Sequence, residues 1–101
     1  MANNPFTIIS NINVTLSVKE EQDGGIINVT GGASGTFVAF NKDFVDVRSI
    51  VVSAKKNASF DVQALWEFGT EEDGGFTAYV LRRDNGNYVD GEVSWQVRGV
   101  V

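Results

Sequence analysis

Apolar and polar residues alternate along much of this chain, which is the pattern of a β-strand with one buried face. The alternation is strictest in residues 12–18, where Ile, Val and Leu occupy every even position. No segment carries the apolar stripe at spacings of three and four residues that an amphipathic helix shows. Further extended runs, rich in β-branched and aromatic residues, cover 26–30, 36–40, 45–54, 60–68, 76–83 and 91–100.

Segments rich in Gly, Asn, Asp and Glu separate these runs and predict turns. They are residues 20–25, 31–35, 41–43, 55–57, 69–75 and 84–87. The last one contains Asn85-Gly86, a strong local signal for a β-hairpin. Short strands joined by such turns are typical of antiparallel sandwiches and barrels. We therefore predict one all-β domain over residues 1–101, an antiparallel β-sandwich of about six to eight strands.

The composition removes much of the catalytic repertoire, because the 101 residues include neither Cys nor His. A thiolate nucleophile, a Ser-His-Asp triad and an imidazole base or metal ligand are all excluded. A pair of carboxylates, as in a glycosidase, is one acid–base arrangement that the composition still allows. Asp61 and Glu67 share one strand run, on the face opposite its aromatic residues, but nothing in the pattern places them across a cleft. We expect a protein that is not an enzyme and keep a small hydrolase built on this pair as an alternative.

The net charge of −5 argues against binding to nucleic acid or to an anionic membrane surface. No apolar stretch approaches the roughly 18 residues of a membrane-spanning helix. The first residues carry neither the charged nor the apolar region of a signal peptide. We expect a protein made in the cytoplasm, without a signal peptide and without membrane insertion.

The two acidic segments, at 20–25 and 69–75, are the best candidates for a metal site, and in the second Glu71, Glu72 and Asp73 could give oxygen ligands to Ca²⁺. The spacing is not that of an EF-hand loop, so a solvated turn is the favoured interpretation and no cofactor is expected.

The aromatic residues have two interpretations, since they can pack in the core or meet a sugar or a partner protein. Trp66 and Trp95 lie in register with apolar neighbours and are predicted to be core residues. Tyr88, beside the Asn-Gly turn, is predicted to be exposed.

Three stretches resemble a module of bacteriophage tails. Residues 40–53 are similar to its F-x-K-x-F-x-x-V-x-S-I-x-V run, and residues 75–81 to its G-F-T-V-Y-V-F strand. Residues 85–100 resemble its closing S-G-N-x-V-S-G-T-V-S-W-x-A-R-G-V, with Asp90 in place of the usual Ser. The resemblance covers about residues 36–101. It points to the C-terminal β-sandwich of tail-tip or central tail-fibre proteins of the host-specificity type, which is distantly similar to H-type lectin domains.

This resemblance implies a non-catalytic module of the virion tail that attaches to a host cell-surface protein or glycan. It also implies a homotrimer in contact with other tail proteins, and apolar residues on both sides of some strands suit a trimer that buries an outward face. A soluble H-type-like lectin is the alternative function. Loop position alone selects the receptor-contact candidates: Glu71, Glu72, Asp73, Asn85, Asn87 and Tyr88.

Overall fold

The computed structural model describes residues 19–101, which form two antiparallel sheets packed face to face. The predicted antiparallel β-sandwich is therefore confirmed, with seven strands in this part of the chain. They are β1 (Glu20–Val29), β2 (Thr36–Ala39), β3 (Asp46–Ala54), β4 (Val62–Phe68), β5 (Gly75–Arg82), β6 (Tyr88–Val89) and β7 (Gly91–Val100). Two short 3-10 turns, Gly32–Ser34 and Glu71–Asp73, interrupt the strands. The strand predicted at 12–18 lies outside the described residues.

Each sheet is organised around one central strand. In the first sheet β7 lies between β1 and β3, and in the second β5 lies between β2 and β4. The short strand β6 pairs with Val80 and Leu81 of β5, beyond the segment Gly75–Ala78 that pairs with β2. Since β5 and β7 have partners on both sides, the inward side chains at their middle are all at most 5% exposed.

The core fills the space between β5 and β7. Phe76, Ala78 and Val80 are at most 1% exposed on β5, and Val93 and Val97 are equally buried on β7. Trp95, the remaining inward residue at the middle of β7, is 5% exposed and packs its ring edge-on against Phe76, with the ring centroids 5.7 Å apart. The prediction that Trp95 is a core residue is confirmed.

The turn predicted at 20–25 is wrong, because these residues are extended and belong to β1. Gly24 and Gly25 lie opposite Gln96 and Trp95 in the neighbouring strand. A Cβ atom on Gly24 would lie 2.7 Å from the carbonyl oxygen of Trp95, and one on Gly25 would lie 3.3 Å from its indole nitrogen. The two glycines therefore allow β1 to approach Trp95 closely, and close approach of another group is a common reason for glycine within a strand.

The prediction that Trp66 is a core residue is also wrong, since its side chain is 44% exposed. Trp66 lies on the expected side of β4, since Val62, Ala64 and Phe68 on the same side pack against the core. However, β4 is the edge of its sheet. One flank of the indole therefore has no neighbouring strand to cover it, whereas Trp95 sits on a central strand.

The carboxylate of Asp23 ties the bend at 41–43 to β1. It accepts hydrogen bonds from the side-chain amide of Asn41 (2.9 Å), from the backbone N–H groups of Asn41 (2.5 Å) and Lys42 (3.3 Å), and from that of Gly24 (2.8 Å). Partial burial acts to raise the pKa of Asp23, but these hydrogen bonds outweigh it, so the pKa lies below the ordinary value. Beside it, hydrogen bonds from the Lys42 and Lys19 ammonium groups lower the pKa of Glu21 to about 2.

Candidate ligand-binding face

The six receptor-contact candidates lie in two loops at opposite ends of β5. The turn with Glu71, Glu72 and Asp73 precedes this strand, and Asn85, Asn87 and Tyr88 follow it. A strand of eight residues spans roughly 25 Å at about 3.3 Å per residue. The structure therefore does not bring the six candidates together at one point.

Side chains in the first loop hold the loop itself. The carboxylate of Asp73 accepts a hydrogen bond from the backbone N–H of Thr70 (3.0 Å), and that of Glu71 accepts one from Val47 in β3 (3.5 Å). Glu72 is exposed. Within residues 19–101 no group of three or more acidic side chains is arranged to hold a metal ion.

The second loop is the predicted hairpin, which is confirmed. It is longer than a two-residue turn: the carbonyl of Arg82 accepts from Gly86 (2.9 Å), and the N–H of Arg82 donates to the carbonyl of Asn87 (2.8 Å). The side-chain oxygen of Asn85 accepts from the backbone N–H of Asn87 (2.9 Å) and so stabilises the turn. Tyr88 is 43% exposed, as predicted.

A row of outward side chains on the second sheet joins the two loops. Alternate residues of its strands face away from the core, and cross-strand pairing sets them in rows. We call the apolar members of these rows the aromatic face: Phe37, Leu65, Tyr79, Leu81 and Tyr88. Asp73 lies beyond one end of this face and Tyr88 forms the other, so each predicted loop contributes one residue beside or within it.

Tyr79 occupies the middle of the aromatic face and is held on three sides. Its ring centroid lies 5.8 Å from that of Tyr88, and its hydroxyl donates to a carboxylate oxygen of Glu67 (3.2 Å). The ring also lies over Gly35, where a Cβ atom would come within 2.6 Å of the tyrosine Cε2. Desolvation and the neighbouring Glu67 carboxylate raise the pKa of Tyr79, so its hydroxyl is a proton donor at neutral pH.

A cleft of about 490 Å³ opens at the end of this face nearest the first loop. Phe37, which is 52% exposed, forms one wall, and the cross-strand row continues through Thr77 to Glu67. Asp73 also lines the cleft. Gly75 keeps the floor open beneath Phe37, since a Cβ atom there would lie 2.7 Å from the phenylalanine ring.

The cleft combines one aromatic wall, two carboxylates and a hydroxyl, and its volume lies within the range of small-molecule sites. Sequence reasoning did not select Phe37, Thr77 and Tyr79 as contact residues, and it considered Glu67 only as one member of a catalytic pair. The alternation of β5 could have indicated Thr77 and Tyr79, because residues 76, 78 and 80 are buried and residues 77, 79 and 81 face the other side of the strand. The neighbouring strands that complete the site are far away in sequence.

The outer face of the first sheet is different in character. Its central strand presents Glu92, Ser94, Gln96 and Arg98. At its end the Glu20 carboxylate pairs with Arg48 (2.8 Å) and Arg98 (3.5 Å). The exposed apolar side chains of this face, Ile26 and Val51, lie on its two edge strands. Within residues 19–101, no aromatic residue occupies an outward position of the first sheet.

The carboxylate pair considered for hydrolysis is not assembled. Asp61 precedes β4 and Glu67 lies near the other end of that strand, so about 20 Å of extended chain separates them. The two carboxylates of a glycosidase lie about 5–9.5 Å apart.

The part of the chain from 19 to 101 includes no helix long and apolar enough to cross a membrane.

Comparison of this chain with protein-family models, with curated proteins and with solved structures finds no match. The resemblance to phage tail modules therefore rests on the motifs of the sequence alone, and its functional content stays a prediction.

Proposed function

We propose that this chain is a non-catalytic attachment module of the phage tail-tip or tail-fibre type, which binds a molecule of the host cell surface. The observation that carries the proposal is the aromatic face, on which Phe37 and Tyr88 are exposed and the remaining three side chains are half-buried. Contiguous exposed apolar surface on a soluble domain marks sites that bind other molecules. The motif resemblance over residues 36–101 supports the tail assignment.

Contact, and not chemistry, is what this face suits. Its side chains are a phenylalanine, two tyrosines and two leucines, and the carboxylate nearest to its centre, Glu67, already accepts a hydrogen bond from Tyr79. The two loops that flank the face are held by hydrogen bonds of their own side chains. A preorganised surface of this kind loses little conformational entropy on binding.

A homotrimer would carry three such faces and convert weak single contacts into firm attachment. Linking binding sites on one particle raises the apparent affinity by about 10²–10⁴-fold when the geometry lets them engage together. Light scattering on the purified chain tests this part. We expect a mass of three times 11.0 kDa, and a monomer would contradict the trimer.

Binding to cells tests the proposal directly. We expect fluorescently labelled protein to bind bacteria on which the phage encoding this chain forms plaques, and an excess of unlabelled protein to slow phage adsorption. Resistant strains without the receptor are the control and should remain unlabelled. Equal labelling of susceptible and resistant cells, or no labelling of either, would contradict the proposal.

A soluble lectin that is not part of a virion is the second candidate, favoured by the hydroxyl and carboxylate groups beside the aromatic rings. Antibodies against the chain distinguish the two functions. Labelling of the tail end of phage particles in electron micrographs supports the attachment module, and protein found only free of particles supports the lectin.

A further inference from the structure

We infer that the cleft beside Phe37 and the adjoining aromatic face bind an uncharged sugar of a cell-surface glycan. This inference rests on the proposed attachment function and names the chemistry of its ligand. A pyranose ring has an apolar face of C–H groups and a rim of hydroxyl groups, so a site for it needs an aromatic surface beside hydrogen-bonding groups.

The aromatic surface is present and accessible. Phe37 is 52% exposed and Tyr88 is 43% exposed, and Tyr79 lies between them on the same sheet face. The ring of Phe37 rests over Gly75 at the floor of the cleft. Its exposed side offers an apolar wall to a ligand.

The hydrogen-bonding groups stand next to that wall. Thr77 is the direct cross-strand neighbour of Phe37, and Glu67 is the direct neighbour of Thr77 on the other side. The Glu67 carboxylate is oriented by the hydroxyl of Tyr79 at 3.2 Å, and Asp73 is oriented by the N–H of Thr70 at 3.0 Å. Each carboxylate has four lone-pair positions, so acceptor sites remain for sugar hydroxyl groups.

The charge of the site selects against acidic sugars. The outward positions of β2, β4 and β5 carry no Lys or Arg, while Glu67 and Asp73 both line the cleft. A uronate, sialate or phosphate would meet these carboxylates without a compensating cation, which costs binding energy. The expected ligand is therefore a neutral sugar within a longer glycan, whose chain can extend from Phe37 towards Tyr88.

An array of immobilised bacterial oligosaccharides, both neutral and uronate-bearing, tests the inference with the complete chain. We expect selective binding to neutral oligosaccharides. Phe37→Ala should then weaken binding about tenfold or more, because it removes the stacking surface. Tyr79→Phe should weaken it less, since it keeps the ring and removes only the hydroxyl. Ile26→Ala, at an exposed apolar side chain on the opposite sheet, is the matched control and should bind like the parent chain.

The outcomes separate this inference from the proposed function. No binding on the array, preference for uronate-bearing oligosaccharides, or an equal effect of Phe37→Ala and Ile26→Ala would overturn the inference. If the protein still blocks phage adsorption in that case, the attachment function stands with a different ligand, for example a basic segment of a surface protein. If Phe37→Ala instead dissociates an oligomer, as measured by light scattering, the face joins copies of this chain and the inference is wrong.

Discussion

Replacement of Gly35 by Ala tests whether the position of Tyr79 on the aromatic face is fixed from below. Gly35 has φ +69° and ψ −170°, a region of backbone conformation that is almost restricted to glycine. A Cβ atom at this position would also lie 2.6 Å from the ring of Tyr79, 2.7 Å from the methyl group of Thr77 and 2.8 Å from the carbonyl oxygen of Ala78. Gly32, in the same turn, has φ +56° and nothing within 4 Å of a built Cβ atom.

The two glycines therefore form a matched pair. Gly32→Ala should lower the unfolding free energy by about 1–2 kcal/mol, because only the left-handed backbone is unfavourable for alanine there. Gly35→Ala should lower it by about 1–3 kcal/mol through its backbone region and by about 1–3 kcal/mol more through the steric overlap. We expect Gly35→Ala to cost about 2–6 kcal/mol, a large share of the 5–15 kcal/mol that such a domain has.

Urea unfolding of both variants measures the two costs. A double variant, Gly35→Ala with Tyr79→Ala, removes the ring from the overlap and should recover about 0.5–3 kcal/mol relative to the sum of the single changes. If Gly35→Ala is no more destabilising than Gly32→Ala, the steric overlap at Gly35 is absent. If the double variant shows no recovery, the ring of Tyr79 does not rest on Gly35.

Three further predictions follow from burial and charge. Trp95→Ala should lower the unfolding free energy by about 3–5 kcal/mol, as expected for a large core side chain. Trp66→Ala should lower it by less than about 1 kcal/mol, because Trp66 lies at an exposed edge position. Equal losses in urea titrations would contradict the assigned burial of the two side chains. The lowered pKa values of Glu21 and Asp23 mean that these carboxylates stabilise the fold while ionised. The thermal midpoint should therefore be constant above about pH 5 and fall as the pH approaches 2. A midpoint that rises on acidification would contradict this stabilising role. Asp23→Asn should lower the unfolding free energy by about 1–2 kcal/mol near neutral pH, because the bend at 41–43 loses a charged acceptor. The thermal midpoint of this variant should fall less steeply in acid than that of the parent chain. A stability equal to the parent's in thermal unfolding would show that the carboxylate does not hold the bend.

The fold class could be predicted because the signals for it are local. Alternation in β7 identified the buried side of the central strand, including Trp95, and Asn85-Gly86 identified the hairpin. Where the prediction failed, the deciding fact was a partner in another strand. Gly24 and Gly25 have the composition of a turn, but their role depends on Trp95, which is about seventy residues away in the chain. The exposure of Trp66 depends on β4 being an edge strand, which strand order alone determines.

The candidate site was harder to predict for the same reason. Phe37, Thr77 and Glu67 come from three strands, and only the cross-strand register brings them into one row. Loop position pointed to six residues, of which Tyr88 belongs to the aromatic face and Asp73 lines the cleft. Glu71 and Asn85 instead make hydrogen bonds that stabilise their surroundings.

Glycan binding by the aromatic face of the second sheet can be tested by nuclear magnetic resonance on the ¹⁵N-labelled protein. The backbone amide signals are followed while polysaccharide extracted from susceptible cells is added. We expect shifts at Phe37, Thr77, Tyr79 and Tyr88, with the signals of Gln96 and Arg98 on the opposite sheet unchanged. Shifts confined to the opposite sheet, or no shifts at saturating polysaccharide, would mean that this face does not bind the glycan.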